Sequence, residues 1–410
     1  MPKLIIHRGT QEIGGSAVEI NNGETRLLFD FGVPLDSMVR EEWKPEDYKL
    51  PITGLYKNEN PEFSAIFLTH AHPDHFGLMN LINPKIPIYI SKTTYDILSK
   101  ITPLISKQDY TKLNLKIIDD EINIKDIIVK VHKINHSIAG SVAYEIILEG
   151  KTIIYTGDIR FHGRASYLSS TFKRKIKNPD YLIMEGTTLG RKEQNIITEN
   201  DLEDEFVKIF KSDKLPLVQF SPQNLDRFIT IYRACLKAEK TLVIDPYTCI
   251  VLETYSKLSK HIPQYNWNNI RVNFSGKGIN DKLAETKELY KFKSKKITIG
   301  EIKENPNQFV IKGNKALNRI FLKNFEKDKL NIVYSMWKGY LNRKNQFENY
   351  KDIITFLHTS GHAYIKDLQD FVREINPKNL IPVHTEHKEQ FKELFKANII
   401  ELNDGEKLEI

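Results

Sequence analysis

The stretch His70-Ala71-His72-Pro73-Asp74-His75 puts three imidazoles and one carboxylate within six residues, directly behind the apolar run 65–68. The chain has only 12 histidines in 410 residues, so a chance surface gathering of three is a poor account of it. A strand end is a rigid place from which to launch ligands. Side chains two apart on extended backbone point the same way, so His70 and His72 can share one metal ion. Asp74 and His75, past the bend, can turn to a second. Imidazole nitrogen with carboxylate oxygen suits Zn²⁺ well and Mn²⁺ or Fe²⁺ less well. Thiolates cannot build such a centre alone, because the only cysteines are Cys235 and Cys249. The same scarcity excludes a disulfide scaffold and fits a reducing compartment.

Two metals need ligands from elsewhere in the chain. His136 follows the run 127–132, Asp158 follows 153–157, and His384 follows Ile381-Pro382-Val383. All three stand at the ends of apolar runs, where a sheet delivers side chains to one rim. Taken singly, each has an ordinary alternative: a capping His, a turn Asp, a satisfied core His.

The surrounding pattern supplies such sheets. The runs 4–7, 17–20, 26–31, 65–69, 87–91, 127–132, 141–148 and 152–156 are rich in β-branched and aromatic residues, with Gly, Asn, Asp and Pro between them. They predict short strands and a sandwich-like core, with a helix at 93–101. From about residue 190 the pattern changes to a helix at 201–210, a strand at 216–220, a helix at 224–238 and a strand at 241–245. That alternation predicts βαβ units on a parallel sheet. A helix at 365–375 and a strand at 379–384 follow near the end, while 255–330 is Lys- and Asn-rich and weakly patterned. A length of 410 residues allows two or three domains. With 40% hydrophobic and 28% charged residues, the chain is neither wholly disordered nor a coiled coil. No apolar run approaches the roughly 18 residues of a membrane span, and the N-terminal apolar stretch is too short for a signal peptide. The net charge of +7 favours a phosphate-bearing partner only slightly. The basic run Lys291-Phe292-Lys293-Ser294-Lys295-Lys296 is either a solvated face or a nucleic-acid contact.

Taken in order, Leu28-Phe29-Asp30-Phe31-Gly32, the His70–His75 cluster, the lone His136 and Tyr155-Thr156-Gly157-Asp158 resemble motifs one to four of the metallo-β-lactamase superfamily. The resemblance implies an α/β fold, an αββα sandwich around two Zn²⁺ ions, with Mn²⁺ as the other candidate. His70, His72 and His136 would hold one zinc, and Asp74, His75 and His384 the other, with Asp158 bridging. Asp30 would stand behind the ligands, accepting hydrogen bonds from loop amides or ligand histidines. His72, where the oxygen-reducing flavo-diiron branch has Glu, implies a hydrolase.

Three further segments are similar to the motifs of the β-CASP subfamily of nucleic-acid-processing nucleases. Met184-Glu185-Gly186-Thr187-Thr188-Leu189-Gly190 resembles motif A, His358-Thr359-Ser360-Gly361-His362-Ala363 motif B, and Ile381-Pro382-Val383-His384 motif C. This implies a metallo-β-lactamase domain at 1–190 and 356–410, with a parallel-sheet α/β β-CASP domain inserted at 191–355. The activity implied is zinc-dependent hydrolysis of RNA phosphodiesters, endonucleolytic, 5′ exonucleolytic or both, by a hydroxide bridging the metals. In that scheme Asp74 and Asp158 belong to the catalytic metal centre. His362 donates a proton to the leaving oxygen or holds the scissile phosphate, and Glu185 orients its ring. His358, Ser360 and the backbone at Gly361 would contact phosphate, with Ser335 as a further contact.

Trp337 and Tyr340 read either as core or as base-stacking residues, and His7, His132, His162, His261 and His387 read as structural. The expected partner is single-stranded RNA in the cytoplasm, bound by a monomer or dimer. A DNA-processing nuclease, a small-molecule hydrolase and a non-catalytic nucleic-acid-binding subunit are the alternatives. His384 favours RNA, because DNA-repair relatives lack it; the three added motifs argue against a small molecule, and the full ligand set against an inactive subunit. Departures also stand out. Asp226, in Phe220-Ser221-Pro222-Gln223-Asn224-Leu225-Asp226-Arg227, occupies a place where ribonuclease J has His, and Glu185 is nearer the motif A of the polyadenylation endonuclease. The chain ends at Ile410, where ribonuclease J continues. The expectation is a β-CASP enzyme without that further domain.

Overall fold

Alternating apolar side chains build two seven-stranded sheets that share one core. The structure, a computed structural model, describes residues 1–410 other than 36, 38–42, 109, 111, 192–195 and 344. One sheet runs in the spatial order Lys407–Glu409, Lys3–Arg8, Ala17–Asn21, Arg26–Phe29, Ala65–Phe67, Ile88–Ile90, Leu115–Ile117. The other runs Asn398–Ile399, Asn379–Val383, Tyr181–Glu185, Lys151–Tyr155, Val142–Leu148, Ile127–Lys133, Glu121–Ile124. Leu4, Ile6, Val18, Phe29 and Phe67 of the first sheet pack with Val129, Tyr144, Ile146, Ile153 and Ile183 of the second in a single buried cluster. On the outer face of the second sheet, Ile154, Leu182 and Met184 pack with Phe172 of the helix Ser166–Lys175 and Phe371 of the helix Ile365–Ile375. The period of two that places one residue inward places the next outward, so one strand serves both layers.

These strands and helices belong to a compact unit made of Met1–Ser99, Ser106–Ile196 and Gly361–Ile410. A second unit comprises Lys100–Ile105 and Ile197–Ser360. Its six-stranded sheet is parallel throughout, in the order Ile270–Val272, Thr241–Ile244, Phe309–Gly313, Leu215–Gln219, Leu330–Tyr334, Ile354–Phe356. Helices begin where the sequence offers caps: Thr198 accepts from the Asp201 amide, Asn224 from Arg227 and Asp245 from Thr248. No helix among the described residues is long and apolar enough to cross a membrane.

Two expectations are revised. The weakly patterned stretch 255–330 holds an interior strand, Phe309–Gly313, buried at all five positions. Its apolar alternation is interrupted by Lys312, whose ammonium is buried against Asp245 at 2.9 Å. The helix expected at 93–101 is a short α-helix, Lys92–Asp96, running into a wider π-helical turn, Ile97–Ile101.

Candidate metal centre

The strands deliver their last residues through tight turns. Asp30 follows the strand Arg26–Phe29 with φ at 60°, Gly157 follows Lys151–Tyr155 at 53°, and His384 follows Asn379–Val383 at 53°. Left-handed backbone in a non-glycine residue is costly, and its presence at Asp30 and His384 marks positions that the site over-determines. The helix Pro73–Phe76 carries Asp74 and His75 back over the sheet end. Gly32 lies directly beneath it: a Cβ there would fall 1.6 Å from the Asp74 carbonyl oxygen.

Two sets of four donors converge, sharing Asp158. Ligand atoms of His70, His72, His136 and Asp158 all lie within 4.8 Å of one another, and so do those of Asp74, His75, Asp158 and His384. In the first set, His72 Nδ1 is 3.1 Å from both His70 Nε2 and His136 Nε2, and both Nε2 atoms lie 3.6 Å from Asp158 Oδ2. In the second, His75 Nε2 is 3.3 Å from Asp158 Oδ2 and His384 Nε2 is 3.4 Å from Asp74 Oδ2. Zinc bonded to nitrogen at about 2.0–2.1 Å in a tetrahedron separates its ligand atoms by about 3.3 Å, so these spacings match a ligand shell.

Hydrogen bonding decides which nitrogens carry protons. His136 Nδ1 meets the Gly361 carbonyl at 2.8 Å, which can only accept, so Nδ1 holds the proton and Nε2 is bare. Thr69 Oγ1 donates to Asp30 at 2.8 Å and therefore accepts from His70 Nδ1 at 3.0 Å, which leaves His70 Nε2 bare as well. Burial holds both imidazoles well below their ordinary range, and holds His72 at about 4. Two bare nitrogens thus crowd His72 Nδ1, whose single proton could satisfy one of them. His75 Nε2 and Asp158 Oδ1 are buried with no hydrogen-bond partner. In the first set, convergent lone pairs of neutral imidazoles beside an unpartnered oxygen of Asp158 are what a bound cation satisfies, and the donor set of nitrogen and carboxylate fits zinc.

His70, His75, His136 and His384 are steered from behind. Asp30 receives His75 Nδ1–H at 2.7 Å, the Tyr155 hydroxyl at 2.8 Å and the Thr69 amide at 2.8 Å. Thr187 Oγ1 meets His384 Nδ1 at 2.8 Å. Burial opposes charge on His75, but the Asp158 and Asp30 carboxylates overcome it and raise its pKa well above the ordinary value. Burial likewise opposes charge on Asp74, yet the His384 hydrogen bond and the field of His75 bring it down to about 2. Thr69, Tyr155 and Thr187 were not singled out from the sequence. All three lie inside motif-bearing segments, Tyr155 at the head of Tyr155-Thr156-Gly157-Asp158, but no local pattern marks them as steering groups.

The third convergence is Asp158, Glu185, His362 and His384. Glu185 ends the strand Tyr181–Glu185; its Oε1 accepts the Ile159 amide at 2.7 Å and its Oε2 accepts from His362 Nδ1 at 2.8 Å. His362 Nδ1 is 3.8 Å from Asp158 Oδ2. Gly361, whose carbonyl steers His136, is the residue before it, and Ser360 is the last residue of the second unit. His358 and Ser335 lie in that second unit around the buried Arg227. The Ser335 hydroxyl accepts from Arg227 at 2.5 Å and donates to the Leu357 carbonyl at 2.6 Å, and Arg227 Nη1 is 3.2 Å from His358 Nδ1. Arg227 is itself paired with buried Glu199 at 3.1 Å.

Comparison with known proteins places this geometry. Residues 26–212 match the beta-lactamase superfamily domain, and residues 349–402 match the Zn-dependent metallo-hydrolase RNA specificity domain. Ribonuclease J of Helicobacter pylori is 23% identical over 440 residues, covering 98% of this chain and 60% of that protein. Ribonuclease J 2 of Streptococcus pyogenes is 21% identical, covering 94% of this chain and 70% of its own length. An RNase J-like protein of Methanocaldococcus jannaschii is 28% identical over 199 residues, 46% of this chain and 43% of its own. The chain thus spans about three fifths of the Helicobacter relative's length. A solved structure of an Enterococcus faecalis protein of unknown function superposes over 99% of both chains, with a TM-score of 0.79 at 21% identity, which speaks to the fold. The chain thus carries a beta-lactamase superfamily domain and a Zn-dependent metallo-hydrolase RNA specificity domain, and over most of its length it is similar to ribonuclease J proteins.

Proposed function

We propose that the chain is a two-zinc ribonuclease that hydrolyses phosphodiester bonds of single-stranded RNA. The observation that carries the reading is the pair of four-donor sets sharing Asp158, with Glu185 and His362 beside them. Zinc, when bound, supplies an acidified water as nucleophile at neutral pH and Lewis-acid stabilisation of a phosphoryl oxygen. His70, His72 and His136 would hold one ion and Asp74, His75 and His384 the other, with Asp158 common to both donor sets. Asp30, Thr69 and Thr187 keep the ligand imidazoles in the tautomers that point lone pairs inward.

Glu185, anchored on the Ile159 amide, holds the Nδ1 edge of His362, so a proton given to the leaving oxygen departs from Nε2. His362 is partly exposed, as a group that meets substrate must be. The loop 358–361 presents His358, Ser360 and the Gly361 backbone as phosphate contacts, and Ser335 joins it through Arg227. Residues 191–355, most of which fall in the second unit, are then the inserted β-CASP domain. The free, buried thiols Cys235 and Cys249 suit work in the cytoplasm.

The test is incubation of the metal-loaded protein with end-labelled RNA and DNA of one sequence, with and without chelator. The RNA should carry 5′-monophosphate, 5′-triphosphate or 5′-hydroxyl ends. We expect chelator-sensitive RNA cleavage leaving 5′-phosphates, with the end series separating exonucleolytic from internal cleavage. RNA left intact by protein holding two metals, or cleavage indifferent to chelator, would falsify the reading.

A further inference from the structure

One aromatic side chain of the second unit serves neither its core nor the phosphate-facing loop. Phe356 closes the edge strand Ile354–Phe356 of the parallel sheet and is 46% exposed. Tyr290, at 61%, is the other exposed aromatic side chain among the described residues of the second unit, and Phe356 is the one that stands two residues before His358. Tyr334, on the neighbouring strand and itself buried, lies stacked beside the Phe356 ring with centroids 6.5 Å apart. Lys338 Nζ lies over the same ring, 6.0 Å from its centroid, where an incoming base would displace it towards the attached phosphate, and the His358 ring is at 6.0 Å. Alongside in the sequence, Trp337 and Tyr340 meet edge to face at 5.1 Å, and neither is fully buried. The indole lies flat on Gly339, where a Cβ would come within 2.3 Å of it.

We infer that Phe356, backed by Tyr334 and flanked by Lys338, is a stacking platform for one unpaired base of the nucleic-acid strand. The inference rests on the ribonuclease reading and adds to it a subsite in the second unit. A lone exposed ring is too small for a protein docking face, which needs a contiguous apolar patch. Its neighbours Lys351, Asp352 and Thr355 are exposed and polar. A nucleobase asks for one flat apolar face, and the phosphate attached to it asks for one nearby cation; Phe356 and Lys338 offer that pair. Stacking of this kind tolerates any base, because every base has a π face. In the sequence the platform lies five residues before Gly361, so the chain that holds the base continues into the loop proposed to hold phosphate.

The test uses the full metal-loaded chain and 2′-O-methyl 12-mer oligonucleotides, which resist cleavage, each with an abasic residue at a different position. Binding is read by fluorescence anisotropy. In the wild type one position should prove sensitive, losing about 5- to 150-fold in affinity, the worth of one stacked base. Phe356→Ala should lose a similar factor on the intact strand and lose nothing further at that abasic position. Phe356→Trp should restore both affinity and sensitivity, while Phe356→Leu, which keeps the apolar volume and guards against misfolding, should behave as Ala. Hydrolysis of bis(p-nitrophenyl) phosphate, which carries no base, should be the same in all four proteins. The platform fails if Phe356→Ala and the abasic substitution weaken binding independently, or if Phe356→Ala changes base-free hydrolysis. It fails equally if Phe356→Ala converts a dimer to a monomer in sedimentation, because the edge strand then pairs with a second copy. A wild type that cleaves RNA but shows a flat abasic walk sinks the platform and leaves the ribonuclease reading standing. One that neither binds nor cleaves sinks both.

Discussion

Asp30 touches no proposed metal position, yet its replacement should disturb both. Four buried donors end on its carboxylate: the Thr69 amide and hydroxyl, His75 Nδ1–H and the Tyr155 hydroxyl, all within 2.7–2.8 Å. Asp30→Ala orphans all four. At about 1–3 kcal/mol for each unsatisfied buried donor, with partial relaxation, the metal-free protein should lose roughly 4–6 kcal/mol. Asp30→Asn is the sharper probe because it keeps the shape. Its Oδ1 still accepts from Thr69, but its NH₂ now faces the His75 ring and the Tyr155 hydroxyl. Tyr155 can rotate its proton away. His75 must move its proton to Nε2, the atom that faces Asp158 at 3.3 Å. We expect a stability loss of about 2–3 kcal/mol and metal affinity lower by about 10- to 100-fold, greater in the set with Asp74 and His384. Chelator competition with metal analysis measures the affinity, and urea unfolding of the metal-free protein measures the stability. An Asp30→Asn protein that binds two metals as tightly as wild type would refute the steering argument, whatever its activity.

Three further outcomes can be measured on the same protein. His384→Ala should lower metal content, whereas His362→Ala should keep it and lose about 10²–10⁴ in rate, the usual worth of a positioned acid; a 3′-bridging sulfur substrate should shrink the His362→Ala defect only, and an unchanged defect removes the acid role. Gly32→Ala should be severely destabilised and metal-poor, because the Asp74 carbonyl 1.6 Å from the new Cβ belongs to the ligand segment and must move; a melting temperature within a few degrees of wild type would contradict that. Burial opposes charge on Glu19, but hydrogen bonds from His7 and Arg26 bring its pKa from the ordinary 4.5 down to about 2. Because the folded value is the depressed one, the unfolded chain binds more protons as pH falls through 4.5, so this stabilisation is full above that value and lost on the way to about pH 2. Glu19→Gln should therefore cost about 3 kcal/mol at pH 7 and about 1 kcal/mol at pH 3, and a gap independent of pH would show that the ion pairs at Glu19 carry no such linkage.

Much of this molecule is legible in the sequence, for reasons of local physics. Strand alternation has a period of two, so runs such as 142–148 declare both that they are strands and which residues face inward. Asn224 declares a helix start, whereas Thr198 caps a helix that the pattern places at 201 and Asp245 caps one, Pro246–Tyr255, that the pattern does not mark. The His70–His75 cluster is readable because its members are neighbours along the chain and launch from a single strand end. What local pattern cannot carry is pairing at a distance. Lys312 reads as surface, and only Asp245, 67 residues away, makes its burial tolerable within the Phe309–Gly313 strand. Asp30 meets Tyr155 across 125 residues, Thr187 meets His384 across 197, and the Gly361 carbonyl meets His136 across 225. Those contacts decide which imidazole nitrogens are bare, and hence that the donors form two sets sharing Asp158 rather than a scatter of polar residues. The residue types and their rigid launching points are determined locally, by backbone period and capping. The proton positions and the convergence exist only once the two sheets close on their common core, because an imidazole's tautomer is set by whatever the fold places behind it.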